Sequence, residues 1–217
     1  DYDKAKEYYE QAVKLDDSNS MVNLGLLYEN GHGVEQDYNK AKEYYEQAIE
    51  LGNSDAMFYL GVLYENGYGV KKDYIKAKDY YEQAIELGDS FAMVNLGVLY
   101  EDGQGVKQDY IKAKEYYERA IELVNSNAMV NLGFLYKNGY GVKQNYTKAK
   151  EYYEQAIELG NSNAMVNLGF LYKNGYGVRQ DYLKAKEYYE RAIELGNYNA
   201  MANLRDLYDS GFIVKRV

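Results

Sequence analysis

The chain has 217 residues, a formal net charge of −9 and a hydrophobic content of 47%, so it is acidic but apolar enough to fold. It contains no cysteine, which excludes disulfides and thiolate chemistry, and no run of about 18 apolar residues, so we expect no membrane span. The acidic balance also argues against nucleic acid as a partner, because phosphate binding needs a basic surface.

The charge is unevenly divided along the chain. Residues 1–108 contain 10 basic and 21 acidic side chains, a net charge of −11, whereas residues 109–217 contain 15 and 13, a net charge of +2. Such an asymmetry can orient a charged partner or favour head-to-tail contact. Drift among solvated surface residues would give the same pattern.

The sequence repeats every 36 residues. The pair Leu24-Gly25 returns at Leu60-Gly61, Leu96-Gly97, Leu132-Gly133 and Leu168-Gly169. A period of this length indicates a solenoid or array, in which each unit buries its apolar face only against its neighbours. We therefore predict one array with a partial repeat, five full repeats and a terminal capping repeat: 1–15, 16–51, 52–87, 88–123, 124–159, 160–195 and 196–217.

The first predicted element, residues 1–15, has the pattern of a repeat's second helix without the first. Because Asp1 lies within the pattern, we expect the sequence to be a fragment. The helix has no preceding hairpin to cover its apolar face, so we expect weak end-to-end association between copies. The residues on that face are Ala5, Tyr8, Tyr9 and Ala12.

Each full repeat predicts two helices, as residues 53–88 illustrate. Asn53 and Asp73 are predicted N-caps, because their side-chain oxygens can accept from the amides of a first turn. Gly67 and Gly88 are predicted helix ends, since glycine tolerates the left-handed conformation. Apolar residues between these points recur at helical spacing. The repeat is therefore predicted to be an αα-hairpin of helices of about 12 and 15 residues.

Tyrosine and small residues are predicted to fill the core. Of the 29 tyrosines, 24 lie at four repeat positions, represented by Tyr64, Tyr74, Tyr80 and Tyr81. Gly61 has no side chain, so the two helices of a hairpin can approach closely there. We expect the Tyr64 and Tyr81 positions to be core, with hydroxyls that need a partner or water.

The repeat from Ala56 to Ala84 reads Ala-x-x-x-Leu-Gly-x-x-Tyr-x-x-Gly-x-Gly-Val-x-x-Asp-x-x-Lys-Ala-x-x-Tyr-Tyr-x-x-Ala. It resembles the Sel-1-like repeat, a relative of the tetratricopeptide repeat, except that Tyr stands where the family commonly has Trp. The resemblance covers essentially the whole chain. It implies an all-α fold, a right-handed superhelical solenoid of αα-hairpins with a 36-residue repeat. It also implies a role as an adaptor or scaffold in multiprotein assemblies.

One row of side chains on the first helices is a candidate ligand site. Asn lies directly before the leucine of the repeat at Asn23, Asn95, Asn131, Asn167 and Asn203, and only Tyr59 interrupts the series. A carboxamide can pair with both the N–H and the C=O of an extended peptide. In helical solenoids of the related kind, first helices line the concave surface and asparagines there clamp peptides. Alternatively, each Asn bonds a neighbouring helix and fixes the repeat geometry.

Apolar and charged side chains flank this row. Phe58, Val62, Phe134 and Phe170 are predicted either to line a groove or to pack between successive first helices. Glu29, Glu65 and Glu101 are followed at the same repeat position by Lys137 and Lys173. This inversion of charge would let a groove select the direction of a bound peptide.

The last predicted element, roughly Asn199 to Asp209, departs from the repeat. Arg205 replaces glycine, Asp206 replaces an apolar residue, and Ile213 stands where the second loop glycine is expected. Arg205 would clash with a paired helix, and a polar face suits a capping repeat. We therefore expect the array to end here.

Catalysis is not predicted. The single histidine, His32, occupies a loop position that holds Tyr or Gln in other repeats, which is typical of an exposed and permissive site. No residue pattern indicates a catalytic centre, a metal or a cofactor. Disulfide-rich relatives have been linked to β-lactam binding, which does not transfer to a chain without cysteine. We predict a scaffold that binds a partner protein or extended peptide on the concave face, or alternatively a self-assembling structural array without a peptide ligand.

Overall fold

The structure, a computed structural model, describes residues 1–213, which form twelve α-helices and no strand. The predicted all-α fold of hairpins with a 36-residue repeat is thereby confirmed. The helices are α1 (Tyr2–Val13), α2 (Ser18–Asn30), α3 (Tyr38–Glu50), α4 (Ser54–Asn66), α5 (Tyr74–Glu86), α6 (Ser90–Asp102), α7 (Tyr110–Glu122), α8 (Ser126–Asn138), α9 (Tyr146–Glu158), α10 (Ser162–Asn174), α11 (Tyr182–Glu194) and α12 (Asn199–Asp209).

The chain divides into two compact units. Unit 1, Asp1–Asp109, contains α1 to α6, and unit 2, Tyr110–Val217, contains α7 to α12. Within unit 1 the hairpins are α2 with α3 and α4 with α5, and within unit 2 they are α8 with α9 and α10 with α11. The even-numbered helices are the first helices of the repeats.

The helix boundaries follow the predicted caps. The Asp73 carboxylate accepts from the amides of Ile75 and Lys76 at 3.0 and 3.1 Å, so it starts α5. Gly67 ends α4 in the left-handed conformation, with φ of 78°. The helices α4 and α5 each have 13 residues. The predicted second helix was slightly too long because Leu87 is its C-cap.

The core of each hairpin is a tyrosine ring packed on a glycine. Tyr81 is fully buried, and a Cβ added to Gly61 would lie 2.6 Å from its ring. The predicted close approach at Gly61 is therefore confirmed. Tyr64, however, is only half-buried and stacks on Tyr80 with ring centroids 5.7 Å apart. The Tyr64 position is thus the edge of the core rather than its centre, because its ring pairs with another ring instead of entering the helix interface.

Asparagines just before first helices link those helices to the first helix of the preceding repeat. Asn53 caps α4 and donates from Nδ2 to Ser18 Oγ at 3.1 Å and to Asn19 Oδ1 at 2.9 Å. Asn161, which caps α10, and Asn197, which precedes α12 without capping it, make the same two bonds one repeat back within unit 2. Asn53 and Asn161 therefore each start a helix and tie it to the preceding repeat.

The loop between the two helices of a repeat packs on the repeat before it. The Tyr68 ring stacks on Tyr38 at 5.0 Å, and His32 stacks on Tyr2 at 4.6 Å. His32 is exposed, as predicted, and its ring covers the preceding repeat as the Tyr68 ring does, whereas Gln104 occupies the same position without a ring. Phe212 keeps this role in the altered last loop, 4.3 Å from the Tyr182 ring.

Candidate functional site: the first-helix face

All thirteen predicted site residues lie on first helices, and every one of them is half-buried. We call the surface that they form in each unit the first-helix face. In unit 1 the residues are Asn23, Phe58, Tyr59, Val62, Glu65 and Asn95. In unit 2 they are Asn131, Phe134, Lys137, Asn167, Phe170, Lys173 and Asn203.

In unit 1 the glutamates of this face are bonded to buried tyrosines. The Tyr81 hydroxyl donates to Glu65 Oε2 at 2.5 Å and accepts from Asn95 Nδ2 at 3.1 Å. The Tyr45 hydroxyl donates to Glu29 Oε2 at 2.7 Å. Burial raises the pKa of Glu29, and the bond from Tyr45 opposes that rise. These glutamates therefore stabilise the hairpins, in addition to giving the surface negative charge.

An aromatic cluster replaces asparagine where the row is interrupted. Tyr59 stacks on Tyr45 with ring centroids 5.6 Å apart, and Phe58 contacts both Tyr59 at 5.2 Å and Phe91 at 6.0 Å. Burial raises the pKa of the Tyr59 hydroxyl, and the nearby carboxylates of Asp55 and other residues add to the rise. The side chain of Phe91 is 56% exposed, so this cluster reaches solvent.

In unit 2 lysine occupies the glutamate position and the contacts change. The Lys137 ammonium lies over the rings of Phe134 and Phe170, 4.9 and 5.0 Å from their centroids. Burial lowers the pKa of Lys137, which has no ion pair among the described residues. Lys173 instead pairs with Asp206, and this bond holds the pKa of the Asp206 carboxyl below its usual range.

The change from glutamate to lysine leaves two tyrosine hydroxyls without an acceptor. The side chains of Tyr153 and Tyr189 are fully buried, and neither hydroxyl has a hydrogen-bond partner within residues 1–213. Burial raises the pKa of both hydroxyls, so both stay protonated as donors. A buried donor without an acceptor costs about 1–3 kcal/mol.

The asparagine row does not act as one set. Asn95 bonds Tyr81, whereas Asn167 and Asn203 donate to backbone oxygens of their own helices at 3.1 and 3.4 Å. Asn23 and Asn131 make no side-chain hydrogen bond within the described part of the chain. The alternative hypothesis, in which each Asn bonds a neighbouring helix and fixes the repeat geometry, therefore fits only Asn95.

Helix α12 accommodates its two unusual residues. Arg205 is exposed and bonds Asp209 at 3.1 Å, at a repeat position where Gly61 and its equivalents contact a tyrosine ring. Asp206, at the position of Phe170, forms the ion pair with Lys173.

Residues 1–213 contain no group of three or more His, Cys, Asp or Glu side chains placed to hold a metal ion. None of the helices described is both long and apolar enough to cross a bilayer.

The hairpins, the capped loops and the glycine–tyrosine cores define a helical-repeat protein related to tetratricopeptide arrays. The family model for the Sel1 repeat matches five consecutive segments, and the chain belongs to that family. A tetratricopeptide-repeat model matches residues 1–19. The five Sel1 segments are 18–53, 54–89, 90–125, 126–161 and 162–197.

Solved structures of similar proteins agree with this membership. A Sel1 repeat protein from Oxalobacter formigenes is 33% identical, with a TM-score of 0.82 over 94% of this chain and 86% of its own. The protective antigen c5321 of uropathogenic Escherichia coli is 30% identical, with a TM-score of 0.60 over 97% of this chain and 53% of its own. The immunity protein Pa5087 of Pseudomonas aeruginosa is 27% identical, with a TM-score of 0.65 over 85% and 68%.

No curated protein matches the chain significantly. Proteins of the Sel1 repeat family generally mediate protein–protein interactions and are generally not enzymes.

Proposed function

We propose that this chain is a scaffold that binds an extended segment of a partner protein along the first-helix face. The proposal rests on the carboxamides of Asn23 and Asn131, which make no hydrogen bond within the described residues. Each residue is half-buried, and neither carboxamide is bonded to another described side chain or backbone group. Each can therefore offer a donor and an acceptor to a peptide backbone.

The surroundings of these asparagines support a peptide ligand. Asn131 shares α8 with the half-buried Phe134, and in unit 1 the half-buried Phe58 and Tyr59 adjoin the exposed Phe91. Apolar surface beside a few polar groups is the usual composition of a binding groove. The similarity to Pa5087, an immunity protein, favours a protein as the partner.

The proposal is tested with fluorescein-labelled nine-residue peptide pools of random sequence, with binding followed by fluorescence anisotropy. The double variant Asn23→Ala with Asn131→Ala should weaken binding, by about fivefold for each backbone bond lost. The control changes Asn39 and Thr147 to Ala, because these two residues share one exposed position on second helices.

Equal binding by the double variant and the wild type would exclude the asparagine clamp. If no pool binds the wild type while sedimentation shows concentration-dependent association, the alternative of a self-assembling array replaces this proposal. Circular dichroism of both double variants should retain the helical spectrum of the wild type.

A further inference from the structure

We propose that Lys137 and Tyr153 form a position in unit 2 that binds the carboxylate of an aspartate or glutamate side chain in the partner segment. This inference rests on the proposed function and names the chemistry of one residue in the ligand. It follows from a comparison of equivalent positions within the chain itself.

The tyrosine of the proposed site lacks the acceptor that its equivalent in unit 1 has. Lys137, Tyr153 and Asn167 occupy the repeat positions that Glu65, Tyr81 and Asn95 occupy two repeats earlier. In unit 1 the Tyr81 hydroxyl donates to the Glu65 carboxylate. In unit 2 the Tyr153 hydroxyl is equally buried but has no acceptor. The group missing from the unit 2 site is therefore a carboxylate.

The lysine of the proposed site lacks the carboxylate partner that its equivalent one repeat later has. Lys173, one repeat after Lys137, forms an ion pair with the Asp206 carboxylate of α12. Asp206 occupies the repeat position of Phe170, the residue whose ring lies beneath the Lys137 ammonium. Lys137 therefore has an aromatic ring where its equivalent has a carboxylate. The repeat equivalents of both groups, Tyr81 and Lys173, therefore have carboxylate partners in the same protein.

The site can admit a ligand because the lysine side chain is long and lies at the surface. Lys137 is half-buried over Phe134 and Phe170, and its repeat equivalent Glu65 lies directly against the Tyr81 hydroxyl. A rotation of the lysine side chain off the rings would therefore open the Tyr153 hydroxyl to a ligand. A carboxylate that enters then accepts from the hydroxyl and pairs with the ammonium. The two phenylalanine rings remain to contact the aliphatic part of the ligand's side chain.

The same position in unit 1 would reject this ligand residue. Glu65 already supplies the acceptor for Tyr81, and its charge would repel a second carboxylate. An acidic residue of the partner is thus directed to unit 2. Repulsion by Glu65 contributes to this specificity together with attraction by Lys137.

The test uses nine-residue peptide pools that are acetylated and amidated, so that side chains carry the only charges. The central residue is Glu, Gln or Lys, and the other positions are randomised among uncharged residues. We expect the wild type to bind the central-Glu pool about tenfold more tightly than the central-Gln pool. Lys137→Glu should abolish or reverse this preference. Lys143→Glu, the same charge change at an exposed loop residue of unit 2, should keep it.

Tyr153→Phe separates the hydroxyl from the lysine. It keeps the ring that packs on Gly133 and should lower the affinity of the central-Glu pool by about fivefold and that of the central-Gln pool by less, because a hydrogen bond to a charged acceptor is the stronger one. An unchanged preference in this variant would remove Tyr153 from the site, and an unchanged preference in Lys137→Glu would overturn the inference. Equal binding of the Glu and Gln pools by the wild type would overturn the inference and leave the proposed function standing. Failure of every pool to bind would overturn both.

Discussion

The trio Glu65, Tyr81 and Asn95 in unit 1 is fully hydrogen-bonded, whereas its equivalent in unit 2 is not. Both tyrosines are nevertheless buried to the same extent, and both rings fill the space left by a glycine. The difference shows that the fold requires the ring of this tyrosine in every hairpin but does not require a partner for its hydroxyl. The first-helix residue four positions after the glycine can therefore change from glutamate, as at Glu65, to lysine, as at Lys137, without loss of the hairpin.

The largest effect is expected when unit 1 is given the residue of unit 2. Glu65→Lys removes the acceptor of the buried Tyr81 hydroxyl and places an ammonium near Val62 and Val98, which stand where unit 2 has phenylalanine rings. The free energy of unfolding in urea should fall by about 2 kcal/mol. Glu43→Lys, the same charge change at an exposed residue of α3, should have little effect. Equal losses in the two variants would show that the bond to Tyr81 is unimportant.

Removal of the buried tyrosine hydroxyl should change the free energy of unfolding differently in the two units. Tyr81→Phe breaks bonds to Glu65 and Asn95, so the free energy of unfolding should fall by about 1–2 kcal/mol. Tyr153→Phe removes a buried hydroxyl without a partner and should raise the free energy of unfolding by about 1–3 kcal/mol. Thermal and urea denaturation of the pair measure the difference. Similar losses in both variants would mean that Tyr153 has an acceptor in solution.

The smallest effect concerns the asparagine row. Asn95→Ala loses the bond to Tyr81, whereas Asn131→Ala loses no bond within the described residues. Both changes improve helix propensity by a similar amount, so the difference between them isolates the bond. Asn95→Ala should be about 1 kcal/mol less stable than Asn131→Ala in urea denaturation. A reversed order would contradict the assignment of Asn95 to the fold and Asn131 to the ligand.

Much of the fold could be predicted from the sequence because the residues that start, end and pair the helices recur in each repeat. Asp73 and its equivalents start helices, Gly67 and its equivalents end them, and Gly61 pairs with Tyr81. Each of these features acts within a few residues or within one hairpin. Local chemistry therefore predicts them without knowledge of how repeats contact one another.

The contacts of the candidate site were less accessible to sequence reasoning. The change from Glu65 to Lys137 is visible in the sequence, but its consequence depends on a tyrosine 16 residues later, which the hairpin brings back to it. The link from Asn53 to Asn19 was also missed. A signal for it exists, because Asn161 and Asn197 likewise follow an Asn 34 residues earlier, whereas Asp89 follows Asp55.

The glycine–tyrosine contact also bears on how the chain folds. Gly25 and Tyr45 belong to one hairpin, so the contact between them closes a short loop and has a small entropic cost. Chains dominated by such local contacts fold in microseconds to milliseconds, much faster than sheet proteins of similar stability. Since every full hairpin of the two units carries the same contact, we expect refolding to begin at any of them and to spread to the adjacent helices rather than to depend on one obligatory nucleus.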